Sequence, residues 1–162
     1  MKELAEYRIN LVKRLEEAAN EFREACLQVG EVFAPVDAEG WNTHQLAVHT
    51  RDVDKLVYGL RARRTAVEDN PEFPNFDGEA YLSANYNSSE PIDDVVNDLV
   101  ENVGALVEWL RALPPKAWSR VSHHTTLGTG LTLQTWVERD LAHIEEHLET
   151  LKKLNHSGGA SS

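Results

Sequence analysis

Four long segments of the chain carry apolar residues at alternating steps of three and four positions, which is the period of one face of an α-helix. They cover approximately residues 2–32, 42–69, 91–113 and 132–154. No segment alternates apolar and polar residues over the length of a strand, so no strand is predicted. Four amphipathic helices joined by moderate connectors predict an all-α protein, a four-helix bundle.

The same pattern predicts one domain over residues 1–154 and a tail over residues 155–162. The tail is small, polar and glycine-rich, so we expect it to be disordered. Residues 78–87, in the long connector between the second and third helices, predict a short extra helical segment over the end of the bundle. The aromatic residues of this connector either line a substrate pocket or cap the core. They are Phe73, Phe76, Tyr81 and Tyr86.

The composition excludes several partners. The 27 acidic and 16 basic residues give a net charge of −11, which argues against nucleic acid because affinity for phosphates comes from Lys and Arg. No segment approaches the roughly 18 consecutive apolar residues of a membrane span, so no membrane is expected. The single cysteine, Cys26, cannot form an internal disulfide, which fits a soluble protein of the reducing cytoplasm. Arg61, Arg63 and Arg64 are predicted to lie on a solvated helix face.

Histidines supply the clearest functional signal. His143 and His147 are four residues apart in the last predicted helix, so both imidazoles lie on one helix face. His49 falls on the apolar stripe of the second helix, whereas His44 does not and is predicted to lie on the surface. Two imidazoles from one helix and a third from a facing helix predict a three-histidine metal site, which leaves a coordination position open for water or substrate.

Carboxylates and two further histidines flank this candidate site. Asp140 lies one helical turn before His143 and Asp52 lies three residues after His49, so either is a candidate to orient a ligand or to accept a proton. His123 and His124 are predicted to be exposed loop residues, although one of them could reach the open position and close it.

Two other classes of metal protein do not fit the sequence. Zinc proteases with an HExxH motif require glutamate where this chain has Ile144. Di-iron bundles require Glu-x-x-His on two helices, and the nearest match here is Asp140-Leu141-Ala142-His143. A mononuclear site is therefore predicted.

In order and spacing, these features resemble the DinB-like, or YfiT-like, superfamily of metal-dependent four-helix proteins. The resemblance is carried by Trp41 ahead of the second helix, residues 46–52, the turn Leu127-Gly128 ahead of Leu133, and residues 140–147. It implies a bundle in which His49, His143 and His147 bind Zn²⁺ or Ni²⁺, often as a homodimer. Some members of the superfamily attach low-molecular-weight thiols such as bacillithiol or mycothiol to electrophiles, and others are mycothiol-dependent isomerases.

We therefore expect a metal-dependent enzyme that acts on small electrophilic molecules, either as a thiol S-transferase or as a hydrolase. In the hydrolase version Asp140 or Asp52 is a candidate base. The alternative is a non-catalytic metal-binding bundle of the stress response, which would hold an ion without turning over either class of substrate.

Overall fold

The computed structural model describes residues 2–36 and 40–160, with side chains described as far as residue 156. Four rods form a bundle, as the apolar periodicity predicts. The first rod is α1 (Lys2–Leu27), and the second joins α2 (Thr43–Val53), a π-helical turn (Asp54–Tyr58) and α3 (Gly59–Val67). A short helix, α4 (Gly78–Asn85), then precedes the third rod, α5 (Ile92–Arg111), and the fourth, α6 (Leu133–Ala160). A 3₁₀ turn (Pro115–Ser119) follows α5.

The core lies where α1, α5 and α6 face one another. Leu15, Phe22, Leu99 and Ile144 are fully buried there. Burial of large apolar side chains from three rods supplies the main driving force for folding, at about 1.5–3 kcal/mol for each side chain. The second rod packs against α5 and α6, and α4 contacts α2. The extra helical segment predicted in this connector is therefore present.

The ends of two helices follow from identifiable hydrogen bonds. α2 begins with the predicted capping box, in which the Asn42 side chain accepts from the Gln45 amide at 2.7 Å and the Gln45 side chain accepts from the Asn42 amide at 2.9 Å. α1 ends at Leu27 rather than near Val32. The Val32 carbonyl instead accepts from the His44 amide at 3.0 Å, which anchors the connector to the start of α2.

The π-helical turn shifts the buried face of the second rod by one residue. A π turn holds one extra residue, so the side chains that follow it are rotated around the axis. The sequence places Leu56 and Leu60 on the apolar stripe, yet Leu60 is 42% exposed and Arg61 is 7% exposed. A Cβ atom at Gly59 would lie 2.8 Å from the Asp54 carbonyl oxygen, so a glycine suits this position.

A small three-stranded sheet corrects the expectation that the chain contains no strands. It consists of β1 (Glu72–Phe73), β2 (Val121–His124) and β3 (Gly128–Thr132). β1 runs parallel to β2, and β2 runs antiparallel to β3. Along β2 every second residue is buried, and the buried residues are Ser122 and His124. Because both are polar, the sequence of β2 does not alternate between apolar and polar residues. The sequence pattern therefore carries no strand signal here.

The last helix extends beyond the predicted end of the domain. α6 continues to Ala160, and the side chain of Asn155 donates to the Ala25 carbonyl at 3.1 Å. Helix thus replaces the predicted disorder from residue 155 to residue 160, and Ser161 and Ser162 lie outside the described residues. Within residues 2–36 and 40–160, no helix combines the length and apolarity of a membrane span.

Candidate metal centre

Three imidazoles from two rods meet at one point. His49 is supplied by α2, and His143 and His147 are supplied by α6. The Nε2 atom of His143 lies 3.2 Å from that of His49 and 3.1 Å from that of His147. The candidate ligand atoms of the three residues lie within 4.8 Å of one another. In the part of the chain that the structure describes, no other cluster of His, Cys, Asp or Glu has this geometry.

The local structure orients each ring. On α6 the spacing of four residues brings the rings of His143 and His147 to a centroid distance of 4.5 Å. The ring of His49 packs on that of Trp41 at 4.8 Å. A Cβ atom at Gly78 would lie 2.8 Å from Cε1 of His49, so the glycine leaves the space that the ring occupies.

The cluster lies at the edge of the core rather than in its centre. The core stripe of α6 passes through Ile144 and Leu148, which are 0% and 3% exposed, whereas His143 and His147 are half-buried beside it. The apolar periodicity of the last helix would place both histidines on its core stripe, whereas the buried stripe lies one position further along the chain. A site at the edge is accessible to a small molecule, while a site at the centre of the bundle would be closed.

Burial keeps two of these imidazoles neutral at pH 7. It lowers the pKa of His49 to about 4, with a further lowering from His147 and an opposing effect from Glu146. It also lowers the pKa of His143 to about 3, again helped by the neighbouring imidazoles. Because histidine binds metal as neutral imidazole, these residues are in the protonation state that a ligand requires.

The donor set fits a divalent cation. Nε2 of His143 faces the Nε2 atoms of His49 and His147. A proton on Nε2 of His143 could be donated to only one of these two atoms. A cation between the rings would satisfy the lone pairs of all three nitrogens. In tetrahedral zinc sites the metal–nitrogen distance of 2.0–2.1 Å separates neighbouring ligand nitrogens by about 3.3 Å, close to the spacings found here.

Comparisons with known proteins identify the family and the fold of this chain. The family model described as the DinB superfamily matches residues 13–151. The chain belongs to the DinB superfamily. Among solved structures, the chain is similar to YfiT from Bacillus subtilis, described as a probable metal-dependent hydrolase with an unusual four-helix bundle topology. The TM-score is 0.85 at 19% identity, over 95% of this chain and 89% of that one, which establishes the fold. No curated protein matches the chain.

In this DinB-superfamily chain, Asp140 faces a second carboxyl group instead of a histidine. Asp140 and Asp54 are 1% and 2% exposed, and their carboxyl groups lie within hydrogen-bonding range of each other. Burial and the charge of Asp54 raise the pKa of Asp140 well above its usual range. Neither oxygen of Asp140 accepts a hydrogen bond from a described N–H or O–H group, and Nδ1 of His143 has no hydrogen-bond partner among the described residues. Two buried carboxyl groups this close favour a state in which they share one proton.

The second predicted carboxylate is engaged elsewhere. Asp52 accepts from the Arg51 guanidinium at 3.1 Å, and Arg51 also pairs with Glu90 at 2.6 Å. Burial raises the pKa of Asp52 in spite of Arg51, which lowers it. The catalytic roles of Asp52 and Asp140 stay predictions, and within the described residues neither donates to nor accepts from an imidazole of the cluster.

Three other histidines lie where the sequence does not predict them. His44 is buried rather than on the surface, because its Nδ1 accepts from the Tyr86 hydroxyl at 2.7 Å and its Nε2 donates to the Glu90 carbonyl at 2.6 Å. His123 and His124 belong to β2 instead of a loop, and His124 is 4% exposed. Within the described residues, His123 and His124 do not join the three-histidine cluster.

A pocket of about 290 Å³ opens beside the cluster. His49 and His143 form one wall, and Phe76 is the connector aromatic that lines the pocket, whereas Phe73 is buried in the core. The remaining lining side chains are Val53, Val57, Tyr58, Arg61, Asn75, His124, Thr126 and Leu127. Sequence reasoning missed Tyr58, Arg61 and His124, since the π turn and the strand that position them leave no periodic signal.

A larger groove of about 380 Å³ lies between α1 and the end of α5. Its walls are mostly apolar, with Ile9 and Trp118 among them, and no histidine or carboxylate lines it. The groove therefore lacks groups for acid–base or metal chemistry, and the pocket beside the histidines is the better candidate site.

Proposed function

We propose that this DinB-superfamily chain is a metal-dependent enzyme in which His49, His143 and His147 hold one divalent cation, either Zn²⁺ or Ni²⁺. The observation that carries the proposal is the convergence of three Nε2 atoms from two rods. The lowered pKa values of His49 and His143 support it, since both residues are neutral at pH 7.

The reaction that fits best is thiol S-transfer to, or hydrolysis of, a small electrophilic molecule. A divalent cation at the cluster would lower the pKa of a water or thiol bound to it and so supply a nucleophile near neutral pH. The residues of the chain hold the ligand rings in place, and Phe76 and Val57 give the adjoining pocket an apolar wall. A low-molecular-weight thiol is the proposed second substrate in the transferase version.

The adjoining pocket favours an enzyme over the alternative, a non-catalytic metal-binding bundle of the stress response. A protein that only stores an ion has no need of a cavity beside it, and a fourth protein ligand would be expected to close the site. Within the described residues His123 and His124 do not join the cluster, so the geometry leaves one side of it available to a small molecule.

A single experiment separates the versions of this proposal. Purified protein loaded with Zn²⁺ or Ni²⁺ is mixed with monochlorobimane in the presence or absence of bacillithiol or cysteine, and with 4-nitrophenyl acetate without thiol. A transferase consumes the bimane only when thiol is present and faster than the uncatalysed reaction, whereas a hydrolase cleaves the ester without thiol. Loss of either activity in His143→Ala would assign it to the cluster. Turnover of neither substrate class would favour the non-catalytic alternative.

The family resemblance also leads us to propose a homodimer located in the cytoplasm. The single cysteine, Cys26, fits that compartment because it is fully buried and its thiol forms no disulfide. Light scattering of the purified protein tests the assembly, and a mass equal to one chain of 18.2 kDa would contradict it.

A further inference from the structure

Arg61 is a buried cation in the wall of the pocket that also contains His49 and His143. It is 7% exposed, and its guanidinium lies 4.8 Å from the centre of the Trp136 ring and 5.8 Å from that of Phe73. One N–H group donates to the Pro74 carbonyl at 2.9 Å. Packing on two aromatic rings fixes the plane of the guanidinium, so its remaining donors have a defined direction.

The charge of Arg61 is not balanced by a carboxylate. Among the side chains described in residues 2–36 and 40–156, Arg61 forms no ion pair, although the chain has an excess of 11 negative charges. Burial lowers the pKa of Arg61, Tyr58 opposes this effect, and the nearby charge of Arg139 lowers the pKa further. A guanidinium has five N–H donors, and burying it without a counter-ion is costly. Arg61 is therefore a buried cation beside which an anionic ligand could bind.

His124 adds a second donor to the same pocket. Its Nδ1 accepts from the backbone amides of Thr126 at 3.1 Å and Leu127 at 3.0 Å. Nδ1 therefore carries a lone pair, and in the neutral ring the proton must lie on Nε2. Burial, followed by the charges of Arg61 and Arg139, lowers the pKa of His124, which keeps the ring neutral at pH 7. The pocket thus presents donors from two side chains, and its lining includes no carboxylate to accept from them.

The charge and the size of this pocket favour a carboxylate ligand over a phosphate ligand. Arg61 is the one guanidinium in the lining of the pocket, and its planar fork matches the two oxygens of one singly charged carboxylate. A phosphate monoester carries about −1.5 to −2 charges at pH 7 and would need a larger cationic set. A pocket of about 290 Å³ admits only a small molecule, in which the carboxylate and the reacting atom are a few bonds apart.

We propose that the pocket binds small carboxylate-bearing substrates and that Arg61 is the residue that selects them, with the Nε2–H of His124 as a second donor. The role of Arg61 in turnover rests on the proposed function, because the pocket is defined by its position beside the three histidines. The binding of a carboxylate does not rest on it and can be measured without any reaction.

The test measures binding of three matched probes, benzoate, benzamide and phenyl phosphate, by isothermal titration calorimetry. It uses the full-length protein as purified and after treatment with EDTA, so that binding to an ion is separated from binding to Arg61. The variant is Arg61→Met, and the matched control is Arg63→Met, which removes the same charge from an exposed side chain that packs over Trp109.

Benzoate is expected to bind at least about tenfold more tightly than benzamide with or without EDTA, as a charge-assisted fork provides. Arg61→Met should abolish that preference, and Arg63→Met should retain it. Equal affinity for benzoate and benzamide in the unmodified protein would overturn the proposal, and so would tighter binding of phenyl phosphate. The unmodified protein decides these outcomes even where Arg61→Met does not fold. Benzoate binding without any turnover would refute the proposed function and leave this inference standing.

Discussion

At the scale of single residues, the least expected feature is the pair of buried carboxyl groups on Asp54 and Asp140. Burial raises the pKa of Asp54 to about 6, with Asp140 and Arg63 acting in the opposite direction, and the pKa of Asp140 is raised further. The pair links the π turn of the second rod to α6, next to the candidate site. The stability of the contact between Asp54 and Asp140 therefore depends on a proton that the two carboxyl groups share.

The raised pKa values of this pair predict a contribution to stability that is lost as the pH rises from about 4 to 7. The pKa of Asp54 is above its unfolded value near 3.9, so in this window the pair binds more protons in the folded state than in the unfolded state, and its contribution falls as the pH increases. The lowered pKa values of His49 and His143 act in the opposite direction, so the effect of the pair is read from the difference between a variant and the unmodified protein. Asp140→Asn removes one charge and gives Asp54 a neutral donor. We expect stabilisation of about 1–3 kcal/mol at pH 7 and a smaller gain at pH 4, where the pair is protonated.

Thermal unfolding measured from pH 4 to pH 8 tests this prediction. For a protein of this size, 1 kcal/mol corresponds to about 2–4 °C in Tm. Asp69→Asn is the matched control, since it removes the same charge at an exposed position, and it should bring no gain at pH 7. Curves for Asp140→Asn and the unmodified protein that run parallel across the whole range would contradict a shared proton.

At the scale of secondary structure, the π turn determines which side chains reach the pocket. Upstream of the turn the predicted stripe is correct, with Leu46 and Val53 buried. Downstream of it the stripe moves by one residue, which exposes Leu60 and buries Arg61. The sequence predicts the helix because the apolar spacing persists, but it cannot predict the extra residue in one turn. The sequence predicts Arg61 on a solvated helix face, and this prediction is wrong because the shift by one residue buries Arg61.

Gly59→Ala should destabilise the second rod. The added Cβ would lie 2.8 Å from the Asp54 carbonyl oxygen, so the turn must widen or revert to α-helical pitch. We expect a loss of about 1–3 kcal/mol, typical of overpacking, in urea or thermal unfolding. Gly104→Ala in α5 is the matched control because its added methyl group would meet no atom within 4 Å, and it should stabilise by about 0.5–1 kcal/mol. Equal effects of the two substitutions would show that the turn imposes no constraint.

At the scale of the whole molecule, the sequence predicts the parts of the fold that follow from helical periodicity. The four rods, the cap at Asn42 and the three histidines all follow from helical spacing. The sheet does not, because β1 has two residues and β2 buries Ser122 and His124 in place of apolar side chains. The burial of His44 depends on partners roughly 40 residues or more away, Tyr86 and Glu90, which local patterns do not register.

The histidine site itself is a property of the assembled bundle. The spacing of His143 and His147 makes two ligands predictable from one helix, whereas the third comes from α2 and requires the rods to pack as they do. Trp41 and Gly78 then fix the ring of His49 from a connector and from α4. An ion at this point would therefore join the second and fourth rods.

The most direct measurement is the metal content of purified protein after incubation with Zn²⁺ or Ni²⁺ and desalting. We expect one ion per chain for the unmodified protein and near zero for the double variant His143→Ala, His147→Ala. His156→Ala removes an exposed histidine from the same helix and should leave the content at one. An unchanged metal content in the double variant would contradict the assignment of the three imidazoles as the ligands of a metal ion.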